Sequence, residues 1–449
     1  MQALIDLKKE SGRRLRAFLV GVKREGQSDE QSQSLLAELG ELVKNIGFKI
    51  AGSEIVFLRE PNPHYMVGSG KFEQIRKRAR NLNVDCIVID DTLSPAQQRN
   101  WERDSGKCVI DRHEVILEIF ASRAQTKEAR LQVELARLEY SLPRLRRAWR
   151  HLSRQRGGGV KLRGAGESQL ESDKRKINER IARLKVELAQ IRKNRETGRK
   201  RRERSSLPNI AIVGYTNAGK SSLLNRLSKS DILAEDKLFA TLDPTTREFE
   251  LPSGASVLLT DTVGFVRKLP HGLVEAFKST LEEAVVADML IMLVDASNPD
   301  AMEHIDTAKG VLKELGAADK KLLLLLNKMD LAKDDALLHQ LKLAYPDSME
   351  VSVKTGAGID RLIERLEALC LENSSLLDFI LPHGEHSLLG ILQSIGAVRE
   401  KLYIDEGVFI RAYVPKRLEQ SIARFGRLLS TSESKKLRNR FNLELVGLC

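Results

Sequence analysis

"NIAIVGYTNAGKSSLLNRL", Asn209–Leu227, begins as an apolar run, turns through two glycines and continues as a segment with helical spacing. That order reads as a buried strand, a tight loop and a helix. Gly214-x4-Gly219-Lys220-Ser221 sits at the join, which is the context a phosphate-binding loop requires. Backbone N–H groups of Gly214, Tyr215, Thr216, Asn217, Ala218 and Gly219 can wrap phosphates, and the helix N-terminus adds favourable potential. Lys220 is expected to reach the β- and γ-phosphates, and the Ser221 hydroxyl to ligate Mg²⁺.

Three further segments follow in order. "LLTDTVGF" (Leu258–Phe265) is a strand ending in Asp261, Thr262, Val263 and Gly264. Its carboxylate is suited to a water-bridged Mg²⁺ and its glycine N–H to a γ-phosphate. "LLLLLNKMD" (Leu322–Asp330) is a strand ending in Asn327, Lys328, Met329 and Asp330. The Asp330 carboxylate can accept both N1–H and N2–H₂ of guanine, adenine offers no matching pair, and Lys328 can cover the base. "MEVSVKTGAGI" (Met349–Ile359) places Ser352, Val353 and Lys354 after another strand, where a backbone N–H can meet guanine O6. Together these predict a guanine-nucleotide-binding domain of the P-loop class over 207–370.

"KLFATLDPTTREFEL" (Lys237–Leu251) is the expected switch segment, with Phe239, Ala240, Thr241, Leu242 and Asp243 near the nucleotide. A mobile threonine must close the Mg²⁺ shell there, and Thr241, Thr245 and Thr246 are candidates. Phe265 stands where Ras-type enzymes carry a water-orienting glutamine. An apolar ring cannot orient water, so slow hydrolysis by the protein alone is expected, and no catalytic side chain is assigned. Asn217 stands where potassium-activated members of this class place a K⁺ ligand.

Upstream, "RAFLVGV" (Arg16–Val22), "EIVFLRE" (Glu54–Glu60), "VDCIVID" (Val84–Asp90) and "KCVID" (Lys107–Asp111) read as strands with helix patterns between them. They predict a small, mainly parallel α/β domain over 1–120. "VGSGKF" (Val67–Phe72) looks like a phosphate loop, but Tyr65 and Phe72 occupy positions a true loop gives to Gly and Ser/Thr, so it reads as a turn and helix start. One long helix is expected from His113 to about Leu152, with a seam of Leu131, Leu135, Leu138, Leu142, Leu145 and Trp149 and a kink at Pro143. A second seam follows at Ile177, Ile181, Leu184, Leu188 and Ile191. The two make an antiparallel helical hairpin over 121–206. Its tip lies in "RQRGGGVKLRGAGESQLESDKR" (Arg154–Arg175), with five glycines in Gly157–Gly166 and basic residues on both sides.

The net charge of the 449-residue chain is +12, but 141–204 alone holds 22 Lys+Arg against 7 Asp+Glu. So concentrated a basic element is the electrostatic footprint of a nucleic-acid partner. Arg154, Arg156, Lys161 and Arg163 are the candidate phosphate contacts at the tip. The four cysteines form no CxxC pair, which argues against a zinc site or disulfide framework. The longest apolar runs are far short of the roughly 20 residues a membrane span needs, and no secretory signal is visible, so a cytoplasmic protein is expected. Residues 371–449 read as a small α+β domain, with strands at "SLLDFIL" and "EGVFIRAYV". His383 and His386 there read as surface or packing histidines.

The chain resembles the HflX family, in the Obg–HflX group of P-loop translation GTPases, from about residue 15 to 370. The resemblance rests on "GGGVKLRGAGESQLESDKR", "GYTNAGKSSLLN", "FATLDPTTR" and "DTVGF". The "FATL" spelling points to Thr241 as the Mg²⁺ threonine. At the arm tip Ala165 and Ser168 replace the proline and threonine of the familiar "RGPGETQLE". The resemblance implies GTP as substrate, binding to the large ribosomal subunit and its RNA, and dissociation of stalled ribosomes under stress, with the free protein a monomer. A GTP-regulated RNA-modification or RNA-remodelling factor is the alternative, and would need a catalytic constellation among residues such as Asp90, Asp91 and His113.

Overall fold

The computed structural model describes residues 13–147, 162–203, 207–228, 239, 242–252, 254–268, 281–372, 374–394 and 398–440. The architecture is mixed α/β, with three sheets in sequence and a helical hairpin after the first. The first sheet is fully parallel, in the order β2-β1-β3-β4. Its strands are β1 (Arg16–Arg24), β2 (Lys49–Leu58), β3 (Cys86–Ile89) and β4 (Cys108–Asp111). The crossover helices are α1 (Asp29–Asn45), α2 (Ser69–Asn81) and α3 (Pro95–Ser105). Capping boxes Ser28/Gln31 and Ser94/Gln97 start α1 and α3, and Gly106 ends α3 in the left-handed region. Alternate residues of β1 and β3 enter different apolar clusters, Leu19 and Val88 on one face, Phe18 and Ile87 on the other. Burial on both faces explains why these strands read as near-continuous apolar runs.

The expected helix from His113 to Leu152 is instead α4 (Arg112–Arg123), α5 (Lys127–Ser141) and a 3₁₀ turn (Leu142–Arg147). The break has a local cause: Ala124 is extended, and Thr126 caps the new helix by accepting from the Ala129 N–H at 3.1 Å. Pro143 falls inside the tightened turn, where its missing N–H matters least. The returning helix α6 (Leu162–Glu203) runs antiparallel to α5. Leu131, Leu184 and Leu188 are buried between them, packed by Leu135, Leu138 and Ile191. The bidentate Arg180–Glu134 pair flanks that seam. Trp149 and the tip up to residue 161 lie outside the described residues, while Gly164 and Gly166 fall within α6. A helical glycine costs only about 1 kcal/mol relative to alanine, so both are tolerable there.

The second sheet has the order β10-β9-β8-β5-β7-β6, with only β6 antiparallel. It comprises β5 (Asn209–Gly214), β6 (Thr245–Glu250), β7 (Ser256–Asp261), β8 (Met289–Asp295), β9 (Lys321–Asn327) and β10 (Met349–Glu350). Around it lie α7 (Lys220–Ser228), α8 (Ala301–Glu314), α9 (Asp335–Ala344) and α10 (Ile359–Glu372). The third sheet is antiparallel, in the order β12-β13-β11-β14. Its strands are β11 (Ser374–Leu381), β12 (Val398–Ile404), β13 (Gly407–Pro415) and β14 (Arg427–Leu428). The accompanying helices are α11 (His386–Ser394), α12 (Lys416–Phe425) and α13 (Thr431–Arg440). Among the described residues no helix is long and apolar enough to cross a membrane, and no group of three or more His, Cys, Asp or Glu is placed to hold a metal.

Candidate nucleotide site

The phosphate loop leaves β5 at Gly214 and enters α7 at Lys220, as the sequence predicts. Its glycines are demanded by space as well as backbone. A Cβ on Gly214 would stand 2.2 Å from the Leu293 carbonyl, and one on Gly219 would stand 2.6 Å from Asn327 Nδ2. Both have positive φ, 144° and 99°, and so does Asn217 at 62°. Lys220 is buried and donates to the carbonyls of Tyr215 (2.8 Å) and Gly214 (3.2 Å). Burial lowers its ammonium to about 8, and the Asp261 carboxylate pulls the other way. A polyphosphate beside it would raise that value again, since an adjacent anion favours the ammonium.

Ser221 Oγ donates to Asp261 Oδ2 at 2.6 Å. These two hard oxygen donors, one from the loop and one from the end of β7, fit the preferences of Mg²⁺. Gly264 comes next to them: a Cβ there would lie 2.8 Å from Thr216 Cα and 2.9 Å from Lys220 Nζ. Thr262 is buried and donates to the Ile212 carbonyl at 2.7 Å, tying the Asp261–Gly264 segment to β5. Val263 is also buried. Phe265 is buried too, and its backbone exchanges bonds with Thr216 and Gly214.

At the other end of the site, Asn327 donates to the Ala218 carbonyl (2.8 Å) and accepts from the Val353 N–H (3.0 Å). One side chain thus joins the phosphate loop to the 352–354 segment. Ser352 Oγ donates to Asp330 Oδ1 at 2.6 Å, which orients that carboxylate. Lys328, at φ 63°, pairs with Asp295 at 2.7 Å. The Met329 N–H donates to the Val351 carbonyl.

Of the five expected switch residues, Phe239, Leu242 and Asp243 are described. Phe239 and Leu242 are buried with the N-terminal helices, and Phe239 meets Phe120 edge-on at 4.7 Å. Asp243 accepts from the Gln125 and Thr126 N–H groups at 3.3 and 3.1 Å. Ala240 and Thr241 lie outside the described residues. The sequence also gives no hint of an ionic network joining the first sheet to the second. Glu38 of α1 accepts from Tyr215 Oη (2.6 Å), Arg267 Nε (3.0 Å) and Arg112. Arg112 also pairs with Asp90 at 2.7 Å, and Asp90 in turn binds Lys268 at 2.8 Å. No local motif marks these residues; they meet only through the tertiary fold.

A strand–loop–helix phosphate cradle, a paired Ser221 and Asp261, and a base loop wired to that cradle define a P-loop GTPase. Three family models match in succession: GTP-binding GTPase N-terminal (33–121), GTP-binding GTPase Middle Region (123–202) and 50S ribosome-binding GTPase (209–328). GTPase HflX of Lacrimispora saccharolytica is 45% identical over 424 residues, covering 94% of this chain and 98% of that protein. GTPase HflX of Escherichia coli (strain K12) is 39% identical over 377 residues, covering 83% and 87%. A GTP-binding protein from Sulfolobus solfataricus, solved with GDP, is 27% identical with a TM-score of 0.42, covering 79% and 98%. The chain belongs to the HflX family of GTPases and is a GTP-hydrolysing enzyme.

Proposed function

We propose that this GTPase binds the large ribosomal subunit through the basic hairpin, and that its nucleotide state drives separation of stalled ribosomes. The observation that carries the reading is the concentration of basic charge, 22 Lys+Arg against 7 Asp+Glu over 141–204, on a hairpin between two α/β sheets. At 1.5 Å per residue the 42-residue α6 reaches about 60 Å, enough to present the tip far from the nucleotide. The family model over 209–328 bears the description 50S ribosome-binding GTPase, which points the same way. The proposed units are 1–120, 121–206, 207–370 and 371–449. The proposed nucleotide contacts are those read from the motifs, with Ser221 and Thr241 on Mg²⁺ and K⁺ at Asn217. Ser221 would ligate the magnesium directly and Asp261 would reach it through water, and the ion would supply charge neutralisation at the phosphates when bound. Lys220 and the loop amides orient the chain of phosphates, and Phe265 leaves water unpositioned, so turnover is slow until a partner contributes.

The RNA-modification alternative draws little support. Asp90 and Asp91 are engaged in ion pairs with Arg112, Lys268 and Arg24. Co-sedimentation with large subunits under GTP and GDP tests the proposal. GTP-dependent binding, lost when Gln155–Gln169 is replaced by a short neutral loop with GTP affinity intact, is expected. Unchanged ribosome splitting by that variant would overturn the role of the tip.

A further inference from the structure

The geometry points to Arg226 as a positioning residue for guanine selectivity, acting from the far end of the phosphate-loop helix on the peptide units that present the base-reading groups. This rests on the assignment of Asp330 and the 352–354 segment to the guanine base.

Arg226 lies in the last turn of α7, whose first turn carries Lys220 and Ser221. Its guanidinium donates to three consecutive carbonyls: Val353 at 3.1 Å, Lys354 at 3.3 Å and Thr355 at 3.4 Å. A planar fork with several fixed donors is suited to a curled run of carbonyls; an ammonium is a single point. The fit is close. A Cβ on Gly356 would stand 2.2 Å from Arg226 Nη2, and φ at Gly356 is 97°. Glycine at 356 thus leaves room for the guanidinium.

Each carbonyl held by Arg226 belongs to a peptide plane whose N–H points the opposite way, because a trans peptide is rigid. Fixing the Val353 carbonyl fixes the Lys354 N–H. The neighbouring donors are already engaged: Val353 N–H with Asn327 Oδ1, and Ser352 N–H with the Ala357 carbonyl. The Lys354 N–H makes no hydrogen bond among the described residues, so it is the donor left for an acceptor such as guanine O6. Fixing the Lys354 carbonyl fixes the Thr355 N–H, which donates to Ser352 Oγ at 3.2 Å. That hydroxyl donates to Asp330 Oδ1. One guanidinium therefore stands behind both groups that read guanine, the O6 donor and the N1/N2 acceptor. Adenine, with a donor at its 6-position, meets a second mismatch, beyond the one at Asp330, while the Lys354 N–H keeps its direction.

The test compares binding of GTP, ITP, ATP and magnesium tripolyphosphate to the full chain, its Arg226→Ala and Arg226→Lys forms, and Gly356→Ala. The last displaces the guanidinium without removing its charge. In Arg226→Ala, GTP affinity is expected to fall roughly tenfold, the scale of one hydrogen bond to a charged donor. The GTP-over-ATP ratio should shrink by a similar factor, with tripolyphosphate affinity unchanged. Lysine should restore little of the ratio, and Gly356→Ala should reproduce the alanine result. Equal loss for all four ligands would reduce Arg226 to a support of the phosphate loop and overturn the proposal, as would an unchanged GTP-over-ATP ratio. Asp330→Asn in the same assay, with XTP added to the ligands, separates the two layers. If it switches preference towards XTP while the Arg226 and Gly356 variants keep full selectivity, the base assignment stands and the Arg226 proposal fails. If Asp330→Asn causes no switch, the base assignment itself fails.

Discussion

At residue 264 a single methyl group decides whether the phosphate site can exist. A Cβ there would stand 2.8 Å from Thr216 and 2.9 Å from Lys220 Nζ, so Gly264→Ala must displace the phosphate loop or the lysine. GTP affinity is expected to drop at least about tenfold, since a hydrogen bond from a charged group such as the lysine ammonium is worth roughly 1.5–3 kcal/mol; equilibrium binding of a fluorescent GTP analogue measures it. Asp330→Asn acts at the other end. The amide would face guanine N2–H₂ with a donor and suit xanthine, and a site built on such bonds rejects the wrong analogue by about 10⁴. Competition binding that still preferred GTP over XTP would refute the assignment. Most residues of this site were legible because each motif follows an apolar strand, so spacing and strand ends located them together. Arg226, Glu38 and Arg267 were not legible. Their partners lie 127, 177 and 229 positions away in sequence, and nothing in an isolated charged residue says which carbonyl or hydroxyl it will meet.

Elements were readable where a local rule and burial agreed. Near-continuous apolar runs made the parallel strands stand out, because both faces of their sheet are buried. Two features escaped. The break at Ala124 depends on Thr126 capping a new helix while Asp243 accepts from its backbone, a long-range contact. Strand β12, "VREKLYI", alternates half-buried and exposed residues and carries too many polar side chains to resemble the buried strands. Packing of α4 against α5 also creates a pH-sensitive joint. The ring of His113 lies 4.6 Å from that of Tyr140, and burial, reinforced by Arg144, lowers its imidazolium to about 4. With an unfolded value near 6.5, the unfolded state binds the extra proton between these limits. The contribution is therefore complete above about pH 6.5 and lost as pH falls towards 4. Its ceiling is about 3 kcal/mol at 1.36 kcal/mol per unit. The difference in urea stability between the parent chain and His113→Gln should shrink over that interval; a difference independent of pH would count against it.

Across the whole molecule, the first sheet is joined to the GTPase sheet by buried charge. Glu38 is the hub: its carboxylate takes Tyr215 from the phosphate loop, Arg267 from the segment after Gly264, and Arg112 from the start of α4. The side chains of Glu38, Arg112 and Arg267 retain at most 9% of their exposure, so none can turn to water when a partner is removed. Such pairs are poor evidence of net stabilisation, because desolvation offsets most of their attraction, but breaking one is severe. Glu38→Ala leaves two buried guanidinium groups short of a counter-ion, Arg112 keeping Asp90 and Arg267 keeping Asp300 and Glu303. A loss of about 3–5 kcal/mol is expected. Tyr215→Phe removes the hydroxyl that donates to the same carboxylate and accepts from the buried Arg267 N–H, and should cost about 1–3 kcal/mol. Because both changes act on one network, their effects should fail to add by about 0.5–3 kcal/mol. Trp101 is fully buried in the first sheet's core, so in a Trp149→Phe background, which removes the chain's other tryptophan, its fluorescence reports on that sheet during urea unfolding. Glu38→Ala should move the Trp101 transition to lower urea, and hydrogen exchange should rise in α1 and around Arg267 together. If the Trp101 transition stayed in place, or exchange rose in α1 alone, the two sheets would be held by apolar packing and the charge network would be incidental to their union.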